Sequence, residues 1–179
     1  YNACNKIKQD KIYDFCYISL AHSHKNHNRL LDALYQLCEQ KYSFTIALTI
    51  QKNKSELINK INKINNLGYI KIENFGYVSK DKVCDIYNKS KCLIFPSLNE
   101  SFGLPLIEAA TCELDILASN LNYVEQAIIP TAKFNPYNVD EIVLTIKNYI
   151  NGKYQNKVIK LLDNKIDDLI KNIIEKGKK

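Results

Sequence analysis

Methionine is absent from the 179 residues, so the chain carries no initiator and reads as a processed protein or a piece of a longer one. Arginine is almost absent too: Arg29 stands alone beside the lysines that give the net charge of +6. A nucleic-acid reader draws on arginine, whose planar fork matches phosphates and guanine edges. No nucleic-acid partner is therefore expected, only mild attraction to phosphorylated or membrane-surface partners. No apolar run approaches the ~20 residues of a spanning helix, and no signal peptide is visible. The cysteines at 4, 16, 38, 84, 92 and 112 include no Cys-x-x-Cys pair. They are expected to be free, mostly buried thiols in a reducing cytosol. Repeats, low-complexity linkers and a second domain are also missing. With 46% apolar residues, 1–179 reads as one domain with a sizeable core.

What is present alternates. Apolar strand-like runs "YDFCYISL" (13–20), "FTIALTI" (44–50), "YIKIENFGYV" (69–78), "CLIFPSL" (92–98), "DILAS" (115–119) and "AKFNP" (132–136) are separated by helical patterns. The helices are expected at 26–40, 55–66, 79–90 with Ser79 as N-cap, 123–128 and 138–150, with a Lys-rich helix in 153–176. Strands apolar on both faces, each followed by a helix, predict an α/β fold. It is a single Rossmann-like, doubly wound, mostly parallel sheet flanked by helices. Ligands of such sheets bind beyond the carboxyl ends of the strands. Chemistry is expected in the loops 21–29, 76–79, 97–104 and 119–122.

The stretch "FPSLNESFGLPLIEAA" (95–110) carries the sharpest signal. A strand ends near Leu98, a turn runs through Gly103, and Pro105 is expected at the first helical position, where its missing N–H costs nothing. The backbone N–H groups of Phe102, Gly103 and Leu104 then lack helical partners, and Gly103 lets a ligand approach the backbone. With the helix dipole, this is an anion site suited to a diphosphate. Glu100 and Glu108 flank it. Carboxylates only accept hydrogen bonds, so they suit the hydroxyl pairs on either side of a diphosphate. A nucleotide sugar has that pattern: ribose, diphosphate, hexose. A glutamate near a helix start also gains roughly 0.3–1 kcal/mol from the dipole, a plainer reason for Glu108.

"PSLNESFGLPLIEA" resembles the signature of the retaining glycosyltransferases of family 4, which have the GT-B fold: two glutamates separated by seven residues after a Pro-Ser strand end, with Phe-Gly-Leu-Pro between. The resemblance extends through "YISLAHSHKNHNRLLDAL" (17–34), "NFGYVSKDKVCDIYNKSKCLIFPS" (74–97) and "AKFNPYNVDEI" (132–142). It implies that 1–179 is the C-terminal, nucleotide-sugar-binding domain, with terminal helices over about 138–176. The N-terminal acceptor domain of a two-domain enzyme would be absent from the chain. By this resemblance Lys25 contacts phosphate, Glu108 binds ribose hydroxyls and Glu100 contacts the donor sugar. Ser101 and the Phe102, Gly103 and Leu104 backbone hold diphosphate and sugar, and the loop Gly76, Tyr77, Val78 neighbours the base. Glu100 and Lys25 would be the catalytic pair. Two departures stand out. Ser19 and Leu20 replace a common Gly-Arg pair, leaving Arg29 as the nearest arginine. Glu113 replaces a usual glycine, which is expected to affect a turn rather than chemistry.

The implied reaction moves a sugar from a nucleotide diphosphate to an acceptor with retention. Negative charge on the leaving oxygen would be met by preorganised donors and Lys25. No metal and no cofactor are expected, in keeping with the lack of an Asp-x-Asp at a strand end. A lipid-linked or polysaccharide acceptor, with cytoplasmic or peripheral placement at the inner membrane face, is compatible. Three other readings compete. His22, His24 and His27 are spaced as a candidate metal cluster. The same two-domain fold also serves nucleotide-sugar binders and epimerases. The apolar stripe Leu162, Ile166, Leu169, Ile170 and Ile173 fits a non-catalytic interaction module or a membrane surface.

Overall fold

The computed structural model describes Cys4 and residues 6–154. The expected Lys-rich helix in 153–176 and its apolar stripe lie almost wholly outside the described residues. Six strands form one sheet: β1 (Tyr13–Tyr17), β2 (Phe44–Leu48), β3 (Ile70–Asn74), β4 (Ser90–Phe95), β5 (Asp115–Ser119) and β6 (Ala132–Phe134). Their order is β3-β2-β1-β4-β5-β6, and every neighbouring pair is parallel. The helices are α1 (His27–Glu39), α2 (Ser55–Leu67), α3 (Lys80–Asn88), α4 (Leu104–Thr111), α5 (Asn122–Ala127) and α6 (Val139–Ile150).

The chain winds outward from β1 to β3, crosses back, and winds the other way from β4 to β6. Crossovers between parallel strands are right-handed, so reversing direction moves the helices to the opposite face. Accordingly α1 packs beside α2 and α6, whereas α4 packs with α5. Phe15, Cys16, Ile46, Leu48, Cys92, Leu93, Ile94, Phe95, Ile116 and Leu117 are wholly buried, on both faces of the central strands. This explains why those runs read as continuously apolar rather than alternating. Helix boundaries follow local chemistry. The Ser79 hydroxyl accepts from the Lys82 N–H at the start of α3, and Asn138 accepts from the Asp140 and Glu141 N–H groups at the start of α6. Glu113, which replaces the glycine, ends the turn after α4 at φ 55, the left-handed region where glycine is unstrained.

One expectation fails. Cys4 and Cys84 are joined as a disulfide, while Cys16, Cys38, Cys92 and Cys112 are free and buried as expected. The partners are 80 residues apart in sequence, and no spacing rule links them. They meet because the amino-terminal segment lies along the end of α3. The Ile7 N–H donates to Asn88 Oδ1, the Lys11 ammonium donates to the Asn88 carbonyl, and Ile12 and Tyr13 donate to the Lys89 carbonyl.

His27 occupies an apolar position at the start of α1. It is 3% exposed, its ring packs on Tyr17 at 4.7 Å between centroids, and neither ring nitrogen has a partner. Burial, reinforced by the Lys25 charge, pulls its pKa down to about 4. An unfolded histidine titrates near 6.5, so between those two values the unfolded state holds the extra proton and stability falls with falling pH. The loss reaches about 3 kcal/mol by the bottom of the window. His27→Leu should flatten that acid limb in urea titrations run at several pH values. At pH 7 it should be neutral or stabilising, because no unpaired imidazole remains buried. An acid limb that persists in the variant would contradict this assignment.

Candidate functional site

Reversing the winding direction opens a crevice between β1 and β4, beyond their carboxyl ends. The loops leaving these strands meet there. After β1 the chain makes a single 3-10 turn, Ser23–Lys25, before α1; after β4 it runs through 96–103 into α4. Lys25 Nζ donates to Glu100 Oε1 at 2.6 Å across the crevice. The two side chains are only 15% and 11% exposed, so each charge depends on the other for much of what water would supply. An ammonium has three donors. One is used here, which leaves capacity for phosphate oxygens without surrendering Glu100.

Glu108 lies in the second turn of α4, with its carboxylate largely buried. That position is too far in to owe its place to the first-turn dipole. Lys80, the first residue of α3, forms an ion pair with it, tying the loop after β3 to α4. Lys80 was not singled out from sequence. Its one legible signal is that it follows the Ser79 cap in a loop beyond a strand end.

Gly103 is the N-cap of α4 at φ 60. Leu104, not Pro105, is the first helical residue, and Pro105 takes the second place. The consequence expected at the helix start still holds, since the first four N–H groups lack helical acceptors. Among the described residues, the Phe102, Gly103 and Leu104 N–H groups have no hydrogen bond to the protein. Ser101 and Phe102 are exposed in this turn.

Next to the crevice lies a cavity of about 220 Å³ lined by Ile18, Ser19, Leu20, Thr49, Gly76, Tyr77, Val78 and Val83. It has no charged lining residue. Its polar side chains are engaged internally: Thr49 Oγ1 accepts from the Ser19 N–H and donates to the Ser19 carbonyl, and Ser19 Oγ donates to the Leu20 carbonyl. Tyr77 is 82% exposed at its rim. Such a cavity suits a flat, neutral ring held by stacking and backbone contacts. The expected residues Gly76, Tyr77 and Val78 thus share one wall with Ser19 and Leu20.

The turn after β4 donates to the loop after β1 and accepts from the end of β5 and from α5. The Leu98 N–H donates to the His24 carbonyl at 2.7 Å, Ser97 Oγ to the same carbonyl, and Ser119 Oγ and Tyr123 Oη to the Ser97 carbonyl at 2.8 and 2.7 Å. Tyr17 Oη donates to the Lys25 carbonyl at 2.8 Å. Burial pushes the Tyr17 and Tyr123 phenols well above their usual range, so both remain donors.

The histidines do not converge. His22 and His24 stack in parallel at 5.8 Å, while His27 is buried against Tyr17. Among the described residues no group of three His, Cys, Asp or Glu side chains is placed to hold a metal. Arg29 does not enter the crevice loops' charge pairing; it donates to Asn26 Oδ1 and lies over the Tyr137 ring.

Comparison with known proteins gives concordant findings. A family model described as glycosyl transferases group 1 matches residues 5–179. The serotype-specific mannosyltransferase WbdA of Escherichia coli is 32% identical over 105 residues, 58% of this chain but only 13% of its own length. The chain therefore spans a small part of the curated relatives it matches. Among solved structures, the C-terminal domain of the group 1 family protein LpcC from Francisella tularensis superposes with a TM-score of 0.67 at 16% identity, covering 87% of this chain and 89% of that domain. Anabaena Alr3699/HepE, solved in complex with UDP and glucose, gives a TM-score of 0.61 at 19% identity over 78% of this chain and 39% of that one.

Gly103 provides a local test. A Cβ there would lie 3.0 Å from Leu106 Cδ1, in a side chain that is wholly buried. Gly103→Ala should cost roughly 1–2 kcal/mol from the left-handed backbone alone. Denaturant unfolding checks this, and an unchanged midpoint would mean that the turn is not under the constraint described.

Proposed function

This chain belongs to the group 1 glycosyl transferases, and from that premise we propose that it is the donor-binding domain of a retaining, metal-independent enzyme that uses a nucleotide-diphosphate sugar. The observation that carries the reading is the adjacency of three unlike subsites at the ends of β1, β3 and β4. An uncharged cavity of ring size adjoins an anion cradle made of Lys25 and the α4 N-terminus, and two carboxylates flank that cradle. A nucleotide sugar presents base, ribose, diphosphate and hexose in the matching order.

In this reading the base enters the cavity beside Tyr77, and Glu108 accepts from the ribose hydroxyls, with Lys80 balancing its charge. The diphosphate meets Lys25, the Phe102, Gly103 and Leu104 N–H groups and Ser101. Glu100 accepts from hydroxyls of the sugar. As the bond from the anomeric carbon to the diphosphate breaks, charge grows on the leaving oxygen. Lys25 and the fixed N–H donors stabilise it, and because they are already oriented little reorganisation is needed. The acceptor would be bound largely by a separate N-terminal domain. The mannosyltransferase relative makes a mannosyl donor the first to try, and a lipid-linked or polysaccharide acceptor fits the reading. The HepE complex with UDP and glucose supports the class of donor. Among the described residues no helix is long and apolar enough to cross a membrane; a peripheral position at a membrane bearing the acceptor fits the reading.

Calorimetry with a panel of nucleoside diphosphates and nucleotide sugars tests it. One base series should bind, with and without EDTA alike. Glu108→Ala should weaken that binding by roughly tenfold to a hundredfold, the worth of charged hydrogen bonds to a diol. Glu100→Gln should act oppositely on the bare diphosphate, tightening it roughly threefold at low salt by removing a nearby negative charge. Chelator-sensitive binding, or binding indifferent to Glu108→Ala, would overturn the proposal.

A further inference from the structure

The donor-site reading gives no role to Asn26, a buried polar residue next to Lys25. Asn26 is 4% exposed and sits between the Lys25 turn and α1 in the left-handed region, at φ 59 and ψ 30. Asparagine tolerates that conformation better than most residues. It is also the N-cap of α1, where an asparagine side chain ordinarily accepts a hydrogen bond from the helix start. Here it makes no such bond. Its amide is instead spent across the fold. Nδ2 donates to the Pro96 carbonyl at 3.1 Å and to the Pro136 carbonyl at 2.8 Å, and Oδ1 accepts from Arg29 Nη1 at 3.0 Å. Pro96 lies on the turn that carries Glu100, and Pro136 lies on the segment between β6 and α6. Arg29 is braced over Tyr137 on that same segment.

We propose that Asn26 is the positioning residue that sets Lys25 against the Glu100 turn, acting through the backbone rather than touching the donor. The proposal rests on the donor-site reading for its functional consequence. Its structural core stands apart from that reading: three loops leaving β1, β4 and β6 are pinned to a single buried amide. Lys25 is the residue immediately before that amide. Any slackening there moves the ammonium relative to both Glu100 and the α4 N-terminus. Both amide hydrogens and one carbonyl lone pair are used, so the side chain has little freedom to substitute other partners.

Asn26→Gly isolates the side chain, because glycine keeps the left-handed backbone without strain. Lys41→Gly is the control, since Lys41 has φ 61 at the far end of α1. Two readouts are needed. Hydrogen exchange should show the Leu98 amide, which donates to the His24 carbonyl, opening about tenfold faster in Asn26→Gly, the order expected when the hydrogen bond that ties Asn26 to the Pro96 turn is lost. Amides within β1 and β2 should be unchanged, and Lys41→Gly should leave Leu98 unaffected. In calorimetry, Asn26→Gly should weaken the bound nucleoside diphosphate by about tenfold. Added to Lys25→Ala, it should cause no further loss, because it acts through Lys25. Unaltered Leu98 exchange, or losses that add in full, would overturn the proposal. If no nucleoside diphosphate binds the unsubstituted chain, the donor reading fails, and Leu98 exchange still decides whether Asn26 sets the two loops.

Discussion

The Lys25–Glu100 ion pair, closed across the crevice between β1 and β4, is the contact on which the site depends. It joins loops that are far apart in sequence and share no secondary structure. Both partners are largely screened from water, so leaving either alone would strand a poorly solvated charge. The fold can place them together only because the sheet reverses its winding there. Two consecutive loops on the same side of the sheet would open away from each other.

Around that pair, the loops are knitted by side chains with one consistent habit: polar groups at strand ends bond the neighbouring loop's backbone. Thr49 fixes Ser19, Gln51 Oε1 accepts from the Ala21 N–H, and Asn74 exchanges two hydrogen bonds with the Ile50 backbone. Ser119 and Tyr123 do the same for the turn after β4. A buried loop must satisfy its carbonyls somewhere, and these residues meet that need without a regular ladder. The result is a preorganised rim, which is what electrostatic stabilisation of a leaving group requires.

Much of this was legible in the sequence. Runs apolar on both faces announced a covered parallel sheet, and Ser79 marked the start of α3 at residue resolution, while the starts of α4 and α6 were each read one residue off. Lys25, Glu100, Glu108 and the Gly76–Val78 loop were each named, and the structure brings them to one end of the sheet. What escaped was pairing. Lys80 looked like any other surface lysine until α3 was laid against α4. Asn26 was read only as the first residue of a helix, because sequence shows that an amide is present but not which carbonyls it meets. The Cys4–Cys84 bridge was hidden for the same reason: nothing local to either cysteine records the path of the amino-terminal segment. The histidine spacing misled in the opposite sense, since a turn and a buried helix start send His24 and His27 to different surroundings.

The central claim is that the donor occupies the crevice at the reversal of the sheet. Amide shift mapping of the isotope-labelled chain during titration with the nucleoside diphosphate that binds most tightly tests it most directly. The account predicts perturbations concentrated in 19–26, 76–83 and 98–108, with the groove between α1 and α2, lined by Leu31, Asp32, Tyr35, Lys60, Lys63 and Ile64, silent. Perturbations centred on that groove, or scattered without regard to the ends of β1 and β4, would contradict it.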